Sequence, residues 1–479
     1  RIACLDRAGR ALQRVVEALR QTDAATVGRA PQVLATLPDP ATCDDPHDPY
    51  DPYDPHQDPR PVPDPDPDPD LEALEAELGA LRVLVASGRY EDALARADPL
   101  RERTDALGRP ALTAELATWR GKALDGLARH AEAQAELERA LQAAHEARDD
   151  HRVAQIAAWL AWNVGIHGSR AREGLGWVRT AEAALARIPD DPSLRAEILN
   201  ARGVLSMDLG DVDGAAAAYE ATIATIEEHL GPDHLRIAGV LVNLAILEGE
   251  RGNHARAETL QRRALAIRER DQGRDHPDTA AVLNNLSTTL LTLGRQEEAL
   301  AANEEALARI ARVHGDDHPL VATFHVSRGI LLYQQGQHQA AVEQLREAIR
   351  VMEQTLGPDH RNLAVVYGNI GYILLEDDQP QEARRAFERA LTVMQNNDAL
   401  TQAAALTATV GLARALGELG HPEQALPHWE RILDLLARGQ AQGLTDLPSV
   451  YRRAAEAYER TGAPERAAAL RRQADATAP

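Results

Sequence analysis

Four tetrapeptides place an aspartate beside a histidine: GPDH at 231–234, GRDH at 273–276, GDDH at 315–318 and GPDH at 357–360. An adjacent Asp–His pair is the raw material of a metal site or a general-base dyad. Their interval argues against shared chemistry. The copies lie 42 residues apart. If each 42 residues fold as one helical hairpin, neighbouring copies stand roughly 10 Å apart, too far to share an ion. In that frame the Gly ends one hairpin in a left-handed conformation, and the Asp caps free N–H groups of the next helix. Pro277 and Pro319 then fall near a first helical turn, where a missing N–H costs little.

Other chemistry-bearing residues give less. His47 and His56 lie among aspartates, but alternating prolines hold those side chains apart, so the stretch reads as a solvated linker and no metal site is assigned. Cys4 and Cys43 are the only cysteines. Their spacing fits no zinc or redox pattern. They flank two predicted helices, so an antiparallel pairing would bring them within reach of a disulfide, which requires an oxidising compartment. Two free thiols in a reducing cytoplasm is the other reading, and localisation stays open between them. Gly121–Lys122 lacks the glycine loop of a phosphate-binding site, and no kinase, serine-hydrolase or zinc-protease motif occurs. The sequence therefore predicts neither catalysis nor a cofactor in this chain.

Asparagines are more informative. Asn243, Asn285 and Asn369 share one repeat position, with Ser327 as its fourth member and Asn284 beside Asn285. A side-chain amide can donate to and accept from a peptide group at once. Stacked 42 residues apart, these residues form a ladder along one face, where they either hold a ligand or bond neighbouring helices. At the next position, where Leu244, Leu286 and Ile370 stand, the chain instead has Arg120, Arg202 and Arg328, each followed by glycine. An unpaired buried Arg is costly. Each must meet a carboxylate of the chain or anchor an acidic group of a ligand, with the glycine offering room.

These residues need elements to position them. The chain has 479 residues, only 3% aromatic, and a net charge of −22. Such a charge argues against nucleic-acid binding. The scarcity of large rings suits cores of Ala and Leu packed helix on helix. Lys122 is the only lysine, which reads as genomic base composition rather than function. No stretch is long and apolar enough to span a membrane. The chain begins at Arg1 rather than Met, which suggests a piece of a longer protein.

The 42-residue period runs through Gly210, Gly252, Gly294, Gly336, Asp378, Gly420 and Gly462, and five residues later through Ala215, Ala257, Ala299, Ala341, Ala383, Ala425 and Ala467. Between these marks apolar residues recur at three- and four-residue steps, as in Val282, Leu283, Leu286, Leu290 and Leu293. Each period is a helical hairpin that must stack on its neighbours. The expected fold is all-α: a right-handed superhelical solenoid of about ten hairpins over 71–479. A short helical hairpin over 1–43 precedes it, followed by a disordered Asp/Pro linker over 44–70. Hairpin boundaries between 71 and 190 are blurred.

The skeleton "LNNL…LG…EAL…EEAL" of 283–307, with its relatives at 241–265 and 367–391, resembles the tetratricopeptide repeat in its 42-residue kinesin-light-chain form. That resemblance implies that Asn243, Asn284, Asn285, Ser327 and Asn369 line a groove that holds an extended peptide. It implies a protein or peptide partner; the alternative reading is a self-association or structural module, the accessory region of a bacterial serine/threonine kinase or nucleotide-dependent regulator. The order of hairpin, Asp/Pro linker and repeats also resembles the C-terminal region of bacterial, myxobacterial-type serine/threonine kinases. On that likeness the chain is the non-catalytic part of a larger signalling protein.

Overall fold

The computed structural model describes residues 69–396, 403–441, 444 and 446–477. The 1–43 hairpin, Cys4, Cys43, His47, His56 and nearly all of the Asp/Pro segment lie outside the described residues. Every regular element among those described is helical.

Two compact units divide the chain between Asn243 and Leu244. Among the described residues the first contains four hairpins: α1 (Pro69–Ala86) with α2 (Tyr90–Leu107), α3 (Pro110–Gly126) with α4 (His130–Glu146), α5 with α6 (Ala171–Leu185), and α7 (Pro192–Asp208) with α8 (Val212–Leu230). Helix α5 (Asp150–Leu160) continues as a π-helical segment, Ala161–His167. Helix α9 (Leu235–Glu250) runs across the boundary, and α10 (His254–Asp271) follows it. The second unit continues with α11 (Pro277–Thr292) on α12 (Gln296–His314), α13 (Pro319–Gln334) on α14 (His338–Leu356), and α15 (Arg361–Glu376) on α16 (Pro380–Asn396). It ends with α17 (Ala403–Glu418) on α18 (Pro422–Ala437) and α19 (Leu447–Arg460) on α20 (Pro464–Thr477). In chain order these make ten helix pairs.

The repeating small residues explain the packing. Ala215, Ala257, Ala299, Ala341, Ala383, Ala425 and Ala467 are all 0% exposed. A methyl group there lets paired helices close without a void. The turn glycines have φ between +73° and +84°, and Asp378 keeps the turn at +55° where glycine is missing. Ala128, Arg148 and Ser169 do the same in the first unit, at +58°, +55° and +54°. The blurred boundaries there come from this replacement of glycine, not from loss of the turn.

The Asp–His turns depart from expectation in two ways. Their glycines are not left-handed helical: Gly231, Gly315 and Gly357 combine φ of +92°, +79° and +91° with ψ of 159°, 170° and 159°. That region is essentially reserved for glycine. The helix cap is the histidine, not the aspartate. Nδ1 of His276, His318 and His360 accepts the backbone N–H two residues on, at 3.2, 3.2 and 3.3 Å. The His sits at the last non-helical residue and the Asp one residue too early. Asp275, Asp317 and Asp359 instead pair with Arg312, Arg350 and Arg389 of the following second helix.

A capping Nδ1 must be unprotonated. Burial lowers the pKa of His276 and His318, aided by nearby His314 and, for His276, by Arg268 against Asp278. Their folded pKa lies below the unfolded value, so the stability they confer is present above the ordinary histidine range and lost as pH falls through it. Each cap is worth about 1 kcal/mol. The double variant His276→Asn/His318→Asn, whose caps do not titrate, is expected to lose less thermal stability than wild type between pH 7.5 and 5. Equal losses in parallel melts would refute the assignment.

Candidate functional site

One first-helix position recurs along the chain. Trp159, Ala201, Asn243, Asn285, Ser327 and Asn369 are spaced by 42 residues, and Trp119 precedes Trp159 by 40. Asn243 on α9, Asn285 on α11 and Asn369 on α15 are each half-buried. Their side-chain amides bond no other described residue; Thr289 reaches Asn285 only at its backbone carbonyl, at 3.4 Å.

Asn284 is different and corrects the expectation for it. It is 4% exposed, donates to Ser327 Oγ at 3.1 Å and accepts from Asn303 Nδ2 at 2.9 Å. Asn303, fully buried, also donates to the Phe324 carbonyl at 3.0 Å. One residue of helical register turns Asn284 into the interior of its unit, where its amide joins α11, α12 and α13. Ser327 is engaged in the same network and donates to the Thr323 carbonyl at 3.3 Å.

All three arginines meet carboxylates of the preceding helix. Arg120 pairs with Asp98, Arg202 with Glu182, and Arg328 with Glu304 at 2.6 Å. Arg120 also lies 3.6 Å from Glu136. Their glycines serve another purpose. A Cβ on Gly121, Gly203 or Gly329 would collide with Leu137, Tyr219 or Leu345 at 2.7, 2.5 and 2.8 Å. Each glycine admits a large side chain from the partner helix, not the arginine.

A cluster in the first unit was missed by sequence reasoning. Trp119 of α3 and Trp159 of α5 lie with ring centroids 6.1 Å apart. The lysine Nζ of Lys122 lies between them, 4.6 Å from the Trp119 centroid and 3.0 Å from that of Trp159. Charges of alternating sign surround the pair. Arg82 stacks over Trp119 at 5.7 Å and pairs with Glu115 at 2.8 Å; Arg152 approaches Glu115 at 3.7 Å; Arg236 pairs with Glu197 at 3.0 Å. Burial pushes the Lys122 amine down to about 7, with Glu197 opposing and Arg82 assisting. Loss of surrounding water raises the Glu197 carboxyl, against the pull of Arg236 and Lys122. Near neutral pH this site therefore offers two indole faces and an amine that is both donor and acceptor. Carrying the Asn register back two repeats would have found Trp159; Trp119 lies a further 40 residues back and escapes a strict 42-residue step.

Comparisons with known proteins agree with this architecture. A tetratricopeptide repeat profile matches residues 194–270, 236–310, 297–354 and 321–396. No curated protein sequence matches the chain. Among solved structures, the quorum sensor NprR from B. thuringiensis is similar at 14% identity and a TM-score of 0.53, covering 78% of this chain and 98% of that one. A Rap protein solved with Competence and Sporulation Factor gives 14% identity and 0.50, covering 85% and 97%. BtubC (BKLC) from P. vanneervenii gives 23% and 0.42, covering 47% and 91%. At 14% identity the likeness to the first two concerns the fold alone. Taken with the repeating turns and small residues, the match over 194–396 establishes that this chain carries an array of tetratricopeptide repeats.

Proposed function

We propose that the chain is a recognition module whose two compact units each bind an extended protein or peptide segment on their own first-helix faces. In the first unit, Trp119 and Trp159 take an apolar or aromatic side chain, and Lys122 meets a neighbouring polar group. In the second, Asn285 and Asn369 bond the peptide backbone, whose alternating N–H and C=O groups match an amide. In a larger signalling protein such a module selects the partner and leaves catalysis to another domain. The observation that carries the reading is the shared repeat position: it holds the half-buried indole of Trp159 and the half-buried amides of Asn243, Asn285 and Asn369, which have no side-chain partner among the described residues.

The test begins with a random peptide library displayed on phage and selected against the full chain. An enriched peptide is then measured by fluorescence anisotropy. Trp159→Ala is expected to weaken it at least about tenfold, as a buried aromatic anchor does. For a peptide selected on the second unit, Asn285→Ala/Asn369→Ala should weaken binding by a comparable factor with the circular dichroism spectrum unchanged. No enrichment, or affinities untouched by both variants, would exclude the proposal.

A further inference from the structure

Away from the tryptophans, Asp125 at the end of α3, His130 at the start of α4 and His167 at the end of the π-helical segment converge. One donor atom from each lies within 4.8 Å of the others. His130 Nδ1 is 3.0 Å and His167 Nδ1 2.9 Å from the same Asp125 Oδ1, and the two imidazole centroids are 5.1 Å apart. Asn163 Nδ2 is a third donor to that oxygen, at 2.8 Å. An oxygen has two lone pairs, so three donors overfill it.

We propose that Asp125, His130 and His167 form a binding site for a divalent transition-metal ion, and that the ion ties the α3–α4 turn to the end of the π-helical segment. Two imidazoles and one carboxylate suit zinc, cobalt, nickel or copper rather than magnesium or calcium. With metal–ligand bonds of about 2.0–2.1 Å, neighbouring donor atoms stand about 3 to 3.4 Å apart. The two carboxylate–imidazole separations of 3.0 and 2.9 Å need shifts of only a few tenths of an ångström, and the two imidazole donors, within 4.8 Å of each other, draw together on the ion. Each ring moves its proton from Nδ1 to Nε2 as the ion enters, so neutral histidines release no net proton. Side-chain exposures of 25% for Asp125, 35% for His130 and 40% for His167 leave a path for the ion and a position for water. Asn163, 2% exposed, holds the carboxylate from behind as an outer-shell partner.

The test uses the untagged full chain stripped with chelator. Calorimetric titration with Zn²⁺ is expected to give one equivalent bound in the micromolar range or tighter, with a rise in Tm. His130→Gln and His167→Gln should each weaken binding at least about tenfold and remove the rise. His254→Gln, on a different helix pair, should change neither. X-ray absorption of the Co²⁺-loaded wild-type chain should show two imidazoles on the metal, which keeps the idea testable should a variant misfold. Binding no tighter than about 100 μM, one-equivalent binding that survives both substitutions, or a shell without imidazole would overturn it.

Discussion

Lys122→Met is expected to stabilise the folded chain by about 2–3 kcal/mol at pH 7. The amine falls from an ordinary 10.5 to about 7 on folding, chiefly through burial. A shift of that size disfavours the folded state by about 4 kcal/mol at neutral pH. Stacking of the cation between Trp119 and Trp159 returns about 1–2 kcal/mol of this. The folded state binds fewer protons than the unfolded one between about 7 and 10.5, so wild-type stability should climb as pH rises through that window. Methionine fills the same volume without the charge, and Glu197 keeps Arg236 as its partner at 3.0 Å. Urea unfolding at pH 7 and pH 9 gives the check: the variant's advantage should shrink at the higher pH. A destabilised variant, or an advantage constant with pH, would show that the lysine is not held at a cost. A stabilised variant that no longer binds the selected peptide would show why the chain keeps it.

Gly174→Val is expected to be the most damaging single substitution in the first unit, costing about 3 kcal/mol or more. A Cβ on Gly174 would lie 2.6 Å from the Gly165 Cα, 3.1 Å from the Ala161 carbonyl oxygen and 3.0 Å from a Leu205 methyl. Two of those neighbours are backbone and cannot turn aside. Gly294→Val offers a contrast, because a Cβ there meets nothing within 4 Å and only the φ of +76° resists it. That strain is worth about 1–2 kcal/mol. Stacked repeats respond mainly to their neighbours. Hydrogen exchange of Gly174→Val should therefore lose protection over 150–208 and keep it over 277–396. Uniform loss along the chain would contradict nearest-neighbour energetics.

The fold was legible because the same physical demand recurs every 42 residues. A turn that needs positive φ selects glycine, and a close helix crossing selects alanine. Where Ala128, Arg148 and Ser169 adopt the turn without glycine, the signal fades though the conformation persists. The caps were misread because His and Asp are neighbours and both can accept an N–H. Only the helix start decides between them. Asn284 was placed on the outer face because adjacent asparagines look alike in sequence, while one step of helical register separates a buried amide from a half-buried one. In sequence alone Lys122 is a trace of base composition. Its meaning lies in Trp119 and Trp159, one on its own helix and one on the next hairpin, and that proximity exists only after packing.

The π-helical segment adds one residue to a first helix. Twenty positions separate the capping Asp149 from the positive-φ Ser169, whereas nineteen separate Asp191 from Gly210. One residue is about 100° of helical rotation. Everything before the insertion keeps the phase of the other repeats, so Trp159 stays in line with Ala201 and Asn243. The wider turns of the π-helical segment take up the extra residue, so Ser169 still makes the turn, and His167 stands beside the turn of the previous hairpin, 2.9 Å from Asp125. Deleting a single residue within 161–167 is expected to return the segment to α-helix with Trp159 and the Ser169 turn still at their repeat positions. A wider turn thus lets one first helix carry an extra residue while its tryptophan keeps the repeat position and its histidine reaches the previous turn.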